Sequence, residues 1–405
     1  MTERRILLAD ADAFFVAVAR MVDPGGAGKA PLLIVGGTRE SRGVVCSASY
    51  EARKYGVRSA MPIARALRLC PDAMCVPVPR RACGEKSRQI RAVLERFAPV
   101  VEGASIDEWY LDLGGTEGVY RHESLAVTAA RMRDSVIATT NLSVSIGGGT
   151  TKLVAKLAVE RAKPKPGSDG TGVYVVSPGD ERRFLETIDL ADIPMIGPRF
   201  QERLAKLGMR TVPDVLQYDA ATLAQWLGAR EAAWLYDRVR GVDPREVEAH
   251  GDAKSISRDE TFSTDIDDED VLARELLGLV TRAAADLRAD ALTARTVSVR
   301  IRDHDFKTRR ASRTLDEPVI SDRVILEIAR RLLSKLRRAR RVPARLLGVS
   351  LSSLAGDATV DQLTLFQRTD SEIAETDRDR VIARTVDRVR AKFGEKGIFP
   401  AGLAD

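Results

Sequence analysis

Two kinds of hydrophobic pattern alternate along this chain. An apolar run at residues 6–9 predicts a buried strand that halts at Asp10, and the stripe that follows predicts a helix over 13–21. Between residues 31 and 50 short β-branched runs alternate with glycines, and helices are expected at 51–55 and 62–69, which makes a small mixed insert. Residues 100–105 and 109–113 read as two strands joined by a tight bend at 106–108. A helix over 124–138 and a strand over 142–146 follow. Leu153, Val154, Leu157 and Ala158 then form a helical stripe over 151–163, closed by Pro164, Pro166 and Gly167.

The second half changes texture. Residues 181–240 are helix-rich with short turns, and the turn at 193–198 has the form of a helix-hairpin-helix. A polar stretch at 251–260 reads as a tether. Helical stripes at 269–289 and 320–339 then alternate with strand patterns at 296–302 and 346–351, a compact α+β unit. Beyond residue 356 come a loop and a charged helix at about 371–393, for which no role suggests itself. At 405 residues, 44% hydrophobic and 30% charged, the chain is long enough for two to four domains.

The net charge of +6 hides an asymmetry. Residues 295–345 hold 16 Lys and Arg against 6 Asp and Glu, which leaves the rest of the chain at −4. A local basic face of this kind suits a polyanion, although a solvated helix face would give the same count. The four cysteines form no CxxC pair, so reduced thiols are expected. No leader or membrane-length apolar run is visible, which points to a soluble, cytoplasmic protein.

Asp10 ends the first strand, and Asp107 and Glu108 sit in the bend, where neighbouring side chains can face one site. Three carboxylates and a backbone carbonyl supply the hard oxygens that Mg²⁺ prefers, and two such ions suit in-line phosphoryl transfer. The spacing alone fits equally well with Asp10 and Asp12 capping a helix beside a solvated hairpin tip. General acid-base or nuclease chemistry would need similar residues.

The segments Asp10-Ala-Asp-Ala-Phe-Phe15, Ser47-Ala-Ser-Tyr-Glu-Ala-Arg53 and Ser105-Ile-Asp-Glu-Trp-Tyr-Leu-Asp112 closely resemble Y-family translesion DNA polymerases, nearest the DNA polymerase IV (DinB) branch. Order and spacing match, and the likeness runs over about residues 5–355, through Ser255-Ile-Ser-Arg-Asp-Glu-Thr-Phe262 and Asp305-Phe-Lys-Thr-Arg309. The resemblance implies an α+β right hand. Its palm would comprise 1–22 and 76–167, its fingers 23–75, its thumb 168–243, its linker 244–253 and its little finger 254–355, ahead of a tail at 356–405.

It also implies a template-directed, low-fidelity polymerase that adds dNTPs to a primer end without proofreading. Asp10 and Asp107 would bridge two Mg²⁺ ions, with Mn²⁺ as an alternative. The Ala11 carbonyl would complete the nucleotide-side ion, and Glu108 the primer-side ion. Ser47, Tyr50, Arg53 and Lys163 match triphosphate contacts, the guanidinium acting as a bidentate fork. Phe14 and Phe15 would line the nucleotide site, Phe15 as the steric gate against a ribose 2′-hydroxyl. Gly43, Cys46 and Ala48 would leave a roomy pocket over the nascent base pair.

Alternation along 296–302 puts Arg300 and Arg302 on one face, and Lys307, Arg309, Arg310 and Arg313 are expected to extend it toward DNA phosphates. Gln362, Leu363, Leu365 and Phe366 resemble a sliding-clamp-binding pentapeptide. The protein is expected to act as a monomer on primer–template DNA, dNTPs and the clamp. Met195 stands where the family's hairpin turn has a glycine, Thr150-Thr151 replaces an Asn, and Lys165 competes with Lys163 as the triphosphate ligand. The rival readings are a catalytically silent scaffold and a nuclease or cyclase. Intact Asp10, Asp107 and Glu108 oppose the first, and the joint presence of Phe15, Tyr50, Arg53 and a basic C-terminal unit opposes the second.

Overall fold

The computed structural model describes residues 4–39, 42–164, 170–249, 251, 253–356, 374–394 and 397–403. It divides into two compact units, Met1–Gly251 and Asp252–Asp405.

The first unit opens with β1 (Ile6–Ala11) and α1 (Phe14–Val22). β2 (Leu33–Gly36), β3 (Ser47–Ala48), α2 (Tyr50–Lys54), α3 (Ile63–Leu69) and β4 (Met74–Pro77) form the mixed insert around a three-stranded sheet ordered β3-β2-β4. There follow α4 (Arg80–Leu94), β5 (Val100–Gly103), β6 (Glu108–Asp112), α5 (Leu125–Thr140), β7 (Val144–Gly149), α6 (Lys152–Ala162) and β8 (Val173–Val175). The unit ends in a helical cluster: α7 (Glu181–Leu185), α8 (Pro198–Lys206), α9 (Val212–Leu216), α10 (Ala220–Leu227) and α11 (Ala229–Arg238).

A five-stranded sheet, β5-β6-β1-β7-β8, carries the site. Its two faces follow the pleat. Leu7, Ala9 and Ala11 point to one side, into a core with Phe14, Ile90, Leu94, Met132 and Val136 from α1, α4 and α5. Ile6 and Leu8 point to the other side, against Ala155 and Val159 of α6. Asp10 therefore belongs to the α6 side. That helix lies close because β7 carries Gly147, where a Cβ would stand 2.1 Å from the backbone nitrogen of Val159.

In the helical cluster the turn at 193–198 carries a non-glycine residue at positive φ. Met195 adopts φ 75° and is 82% exposed, a backbone conformation that costs a non-glycine residue roughly 1 kcal/mol. Among the residues read as linker, Val247 is buried against Ile6, Leu8 and Tyr110, and the Glu248 amide donates to Glu102 at 2.8 Å. That part of the segment is docked on the sheet rather than free.

The second unit holds β9 (Ser255–Ile266), α12 (Glu269–Ala289), β10 (Leu292–Asp303), β11 (Thr308–Val319), α13 (Asp322–Ala339), β12 (Ala344–Gly356) and α14 (Asp377–Phe393). Its antiparallel sheet is ordered β11-β10-β12-β9, with α12 and α13 on one face over Val297, Val299 and Ile301. The polar stretch expected as a tether is mostly strand. β9 buries only Ile256 and Phe262, and its exposed positions account for the polarity.

The tail helix α14 is docked on this unit. Arg288 pairs with Asp387 at 2.5 Å, Arg323 clasps Asp379 at 2.7 and 2.8 Å, and Glu375 accepts from the Ile320 and Ser321 amides. Among the described residues no helix is long and apolar enough to cross a membrane.

Candidate active site

β1 runs between β6 and β7, and its register places Asp10 opposite Glu108 on one side and Ser145 on the other. Opposed residues on neighbouring strands project to the same face, so Glu108, as the first residue of β6, shares the face of Asp10. Only Asp107 lies in the bend, and its carbonyl accepts from the Ala11 amide at 2.9 Å. The expectation that both acids occupy the bend is thus corrected for Glu108, and strand register brings it to the site. The Asp107 carboxylate accepts from the Ser105 hydroxyl at 2.5 Å.

Asp10 is 5% exposed. Burial pushes its carboxyl up to about 6, against the pull of Lys163, Lys156 and hydrogen bonding. Lys163 Nζ stands 2.9 Å from Asp10 and 2.7 Å from Glu160. Its ammonium is held above the usual range, since Asp10 and Glu160 outweigh the cost of burial. Lys156 Nζ stands 2.6 Å from Glu108 and 3.8 Å from Asp10.

Sequence reasoning missed Lys156. The signal was available, because Lys156, Glu160 and Lys163 recur at the i, i+4, i+7 spacing of one helix face. Asp12 accepts from the Ser143 and Ser145 hydroxyls at 2.7 and 2.8 Å, bonds that tie the turn after β1 to the start of β7.

Among the described residues no three acidic, His or Cys side chains stand close enough to enclose a cation. The donor set nevertheless fits hard divalent ions. Asp10 and Glu108 oppose each other across one strand pair, Asp107 directly precedes Glu108 in the chain, and the charge of Asp10 and Glu108 is balanced by two ammonium groups that a metal could displace.

The turn into α1 is made by Ala13 at φ 45°. It sends Phe14 into the core, 2% exposed, and leaves Phe15 half-buried, with the ring centroids 5.7 Å apart. The Phe14 ring is thus a core group.

Ser49 caps α2 and places Tyr50 and Arg53 on one turn. The Arg53 guanidinium lies 4.9 Å over the Tyr50 ring and donates to the Ala48 carbonyl at 2.9 Å. Burial raises the Tyr50 hydroxyl above its usual range, with Asp12, Lys163 and Asp10 also acting on it, so Tyr50 shares the field of the carboxylate cluster. Ser47 is buried. Ala48, expected to open the pocket, is 1% exposed in the core of the small sheet, whereas Cys46 is exposed. Lys165 lies outside the described residues.

In the second unit, Arg300 and Arg302 lie on the sheet face opposite the helices, as expected. Register pairs Arg300 with Arg310, so Arg310 joins them, and Lys307 is exposed in the connecting turn. Arg309 and Arg313 do not. They pair with Ile301 and Val297, whose side chains point to the helices. Arg309 holds the fully buried Asp303 at 2.8 Å and donates to the Arg340 carbonyl at 3.1 Å. Period-two alternation cannot put neighbours on one face, which corrects the expectation for both. Gln362, Leu363, Leu365 and Phe366 lie outside the described residues.

Comparison with known proteins converges on one family. Residues 9–160 match the impB/mucB/samB family, residues 253–365 its C-terminal domain, and residues 191–243 the DNA polymerase-iota thumb domain. DNA polymerase IV of Dehalococcoides mccartyi is 35% identical over 394 residues, covering 97% of this chain and 96% of that protein. DNA polymerase IV of Halorhodospira halophila is 38% identical over 359 residues, covering 87% and 96%.

Among solved structures, the Y-family DNA polymerase chimera Dbh-Dpo4(243-245)-Dbh matches with a TM-score of 0.75 at 25% identity, over 87% of this chain and 99% of that one. DinB from Sulfolobus solfataricus gives 0.58 at 27%, over 86% and 98%. The chain belongs to the Y family of DNA polymerases, in the DNA polymerase IV branch, and is a DNA-directed, translesion DNA polymerase of α+β multidomain architecture.

Proposed function

We propose that the cluster around Asp10 is where this polymerase joins a deoxynucleotide to a primer 3′ end. The observation that carries the reading is the buried Asp10 facing Glu108 across one strand pair, with Lys156 and Lys163 balancing the charge of these two acids and Asp107 next to Glu108 in the chain. Asp10 and Asp107 would hold two Mg²⁺ ions, with the Ala11 carbonyl on one and Glu108 on the other. When bound, these ions supply a lowered pKa at the primer hydroxyl and charge neutralisation at the leaving group.

The chain's own residues orient the substrate. Lys163, once released from Asp10, Tyr50 and Arg53 grip the triphosphate, and Ser47 adds a hydroxyl. Phe15 fills the volume a 2′-hydroxyl would need. The exposed Cys46 and half-buried Gly43 leave little bulk over the nascent pair, which supports tolerance of damaged templates at a cost in fidelity.

The first unit supplies palm (1–22 and 76–167), fingers (23–75) and thumb (168–243), and 254–355 is the little finger. Arg300, Arg302, Arg310 and Lys307 meet primer–template phosphates without reading sequence, so affinity falls steeply with salt. The likeness to the insertion ternary complex of Dbh DNA polymerase supports DNA and nucleotide as joint ligands of this chain. The pentapeptide at 362–366 docks the sliding clamp, and the enzyme works as a monomer in the bacterial cytoplasm at the nucleoid.

Primer extension with each deoxynucleotide or ribonucleotide tests the reading. The parent extends with dNTPs, Asp107→Ala does not, and Phe15→Ala gains ribonucleotide insertion by about 100-fold. Extension that survives Asp107→Ala, or a Phe15→Ala enzyme that still rejects ribonucleotides, contradicts the assignment.

A further inference from the structure

The sheet face proposed above to meet DNA carries a carboxylate that sequence reasoning passed over. One transverse row across the four strands reads Arg310, Arg300, Gly348, Asp259, all opposite the helices. The neighbouring row reads Ser312, Ser298, Ser350, Ser257. These residues line one shallow cleft, so Asp259 faces whatever Arg300 and Arg310 face.

Arg300 and Asp259 are two strands apart, and their side chains meet over Gly348 in a direct guanidinium–carboxylate ion pair. Both are about 30% exposed. The pair lies in the space the glycine leaves: a Cβ at 348 would sit 1.7 Å from a carboxylate oxygen of Asp259 as it is placed here. The row is thus built so that a long cation and a short anion can lie flat across it.

On the reading that this face binds DNA, we infer that Asp259 is an intramolecular competitor of phosphate for Arg300 and sets the affinity of the face. Duplex DNA must first break the pair. Arg300 then turns to a phosphate, and Asp259 is left as an uncompensated negative charge beside the polyanion. The counterion that a phosphate releases to Arg300 is offset by the cation that the unpaired Asp259 takes up, so the pair lowers both affinity and its salt dependence. The consequence is a domain that holds duplex loosely enough to let go.

The test is fluorescence anisotropy of a labelled primer–template duplex with the full-length protein over a KCl series, for the parent, Asp259→Asn, Arg300→Ala and the double variant. Asp259→Asn keeps the shape and removes the charge. It is expected to tighten binding about fivefold and to steepen the slope of log K against log salt by about 0.9, the value of one counterion no longer taken up on binding. In the Arg300→Ala background the same substitution gains at most about twofold.

An equal gain in both backgrounds would reduce Asp259 to long-range repulsion and overturn the competition. No gain in either background would overturn any role for it. Arg300→Ala alone weakens binding if the face meets DNA, and if it does not, the underlying reading of the face fails rather than the pair. Melting temperatures of all four proteins within about 2 °C of one another show that the changes are not losses of fold.

Discussion

Lys156 Nζ lies 2.6 Å from a carboxylate oxygen of Glu108 and 3.8 Å from one of Asp10. The ammonium occupies the space between two acids that would otherwise repel, and both partners of the closer pair are only 26% exposed. Without it, Glu108 loses this ammonium and depends on added cations for charge balance. Lys156→Met is therefore expected to lose thermal stability without Mg²⁺ and to regain it with the ion. Its Mg²⁺-induced rise in melting temperature should exceed the parent's by about 2 °C or more, the scale of roughly 1 kcal/mol. Equal rises in parent and variant would show that the lysine does not balance these carboxylates.

The contact of α6 with β7 is backbone on backbone. At Gly147 a methyl group would meet the Val159 nitrogen at 2.1 Å and the Ala155 carbonyl oxygen at 2.4 Å. Neither can move without displacing the helix that carries Lys156 and Lys163. Gly147→Ala is expected to destabilise the protein by about 3 kcal/mol, at the upper end of overpacking, in a urea titration of the apo protein. A loss under about 1 kcal/mol would mean that helix and sheet separate easily.

Asp243 has a fully buried carboxylate held by Arg238 at 2.9 Å and Arg245 at 2.7 Å. Burial alone would push this acid up. The hydrogen bonds and charges of the two arginines outweigh it and hold the carboxyl at about 2. A depressed native pKa gives stability that is present above the ordinary value of 3.8 and is lost as pH falls from there toward 2. The parent's stability advantage over Asp243→Asn should therefore shrink by about 2 kcal/mol between pH 5 and pH 2, measured by urea midpoints. An advantage constant over that range would contradict the assignment.

Much of this was legible in the sequence, and the gaps have physical causes. β1, α1, α6 and α12 stand within a residue or two of expectation, because each buries a continuous stripe. α4 was passed over entirely: among its 15 residues only Cys83, Ile90, Val93 and Leu94 are buried, in a highly charged segment. β9 and β11 were missed because each exposes one face, and the inward face of β11 is half-buried and includes Arg309 and Arg313.

The same cause misplaced those two arginines, since charge in sequence does not reveal which face it occupies. Asp10, Asp107 and Glu108 were identifiable as candidates from motif spacing. The strand register that opposes Asp10 to Glu108, and the lysine between them, required the fold. So did the docking of α14, whose hold on the second unit rests on Arg288 and Arg323, residues far from it in the chain.

The most direct test of the account is single-turnover insertion of one deoxynucleotide on saturating primer–template, comparing the parent with Asp10→Asn. Asn keeps the shape of the side chain and removes its charge, so DNA affinity serves as an internal control. The account predicts a rate lower by at least about 1,000-fold, some 4 kcal/mol of lost transition-state stabilisation, with unchanged DNA binding. A rate within about tenfold of the parent would contradict the claim that this buried carboxylate is the centre of phosphoryl transfer.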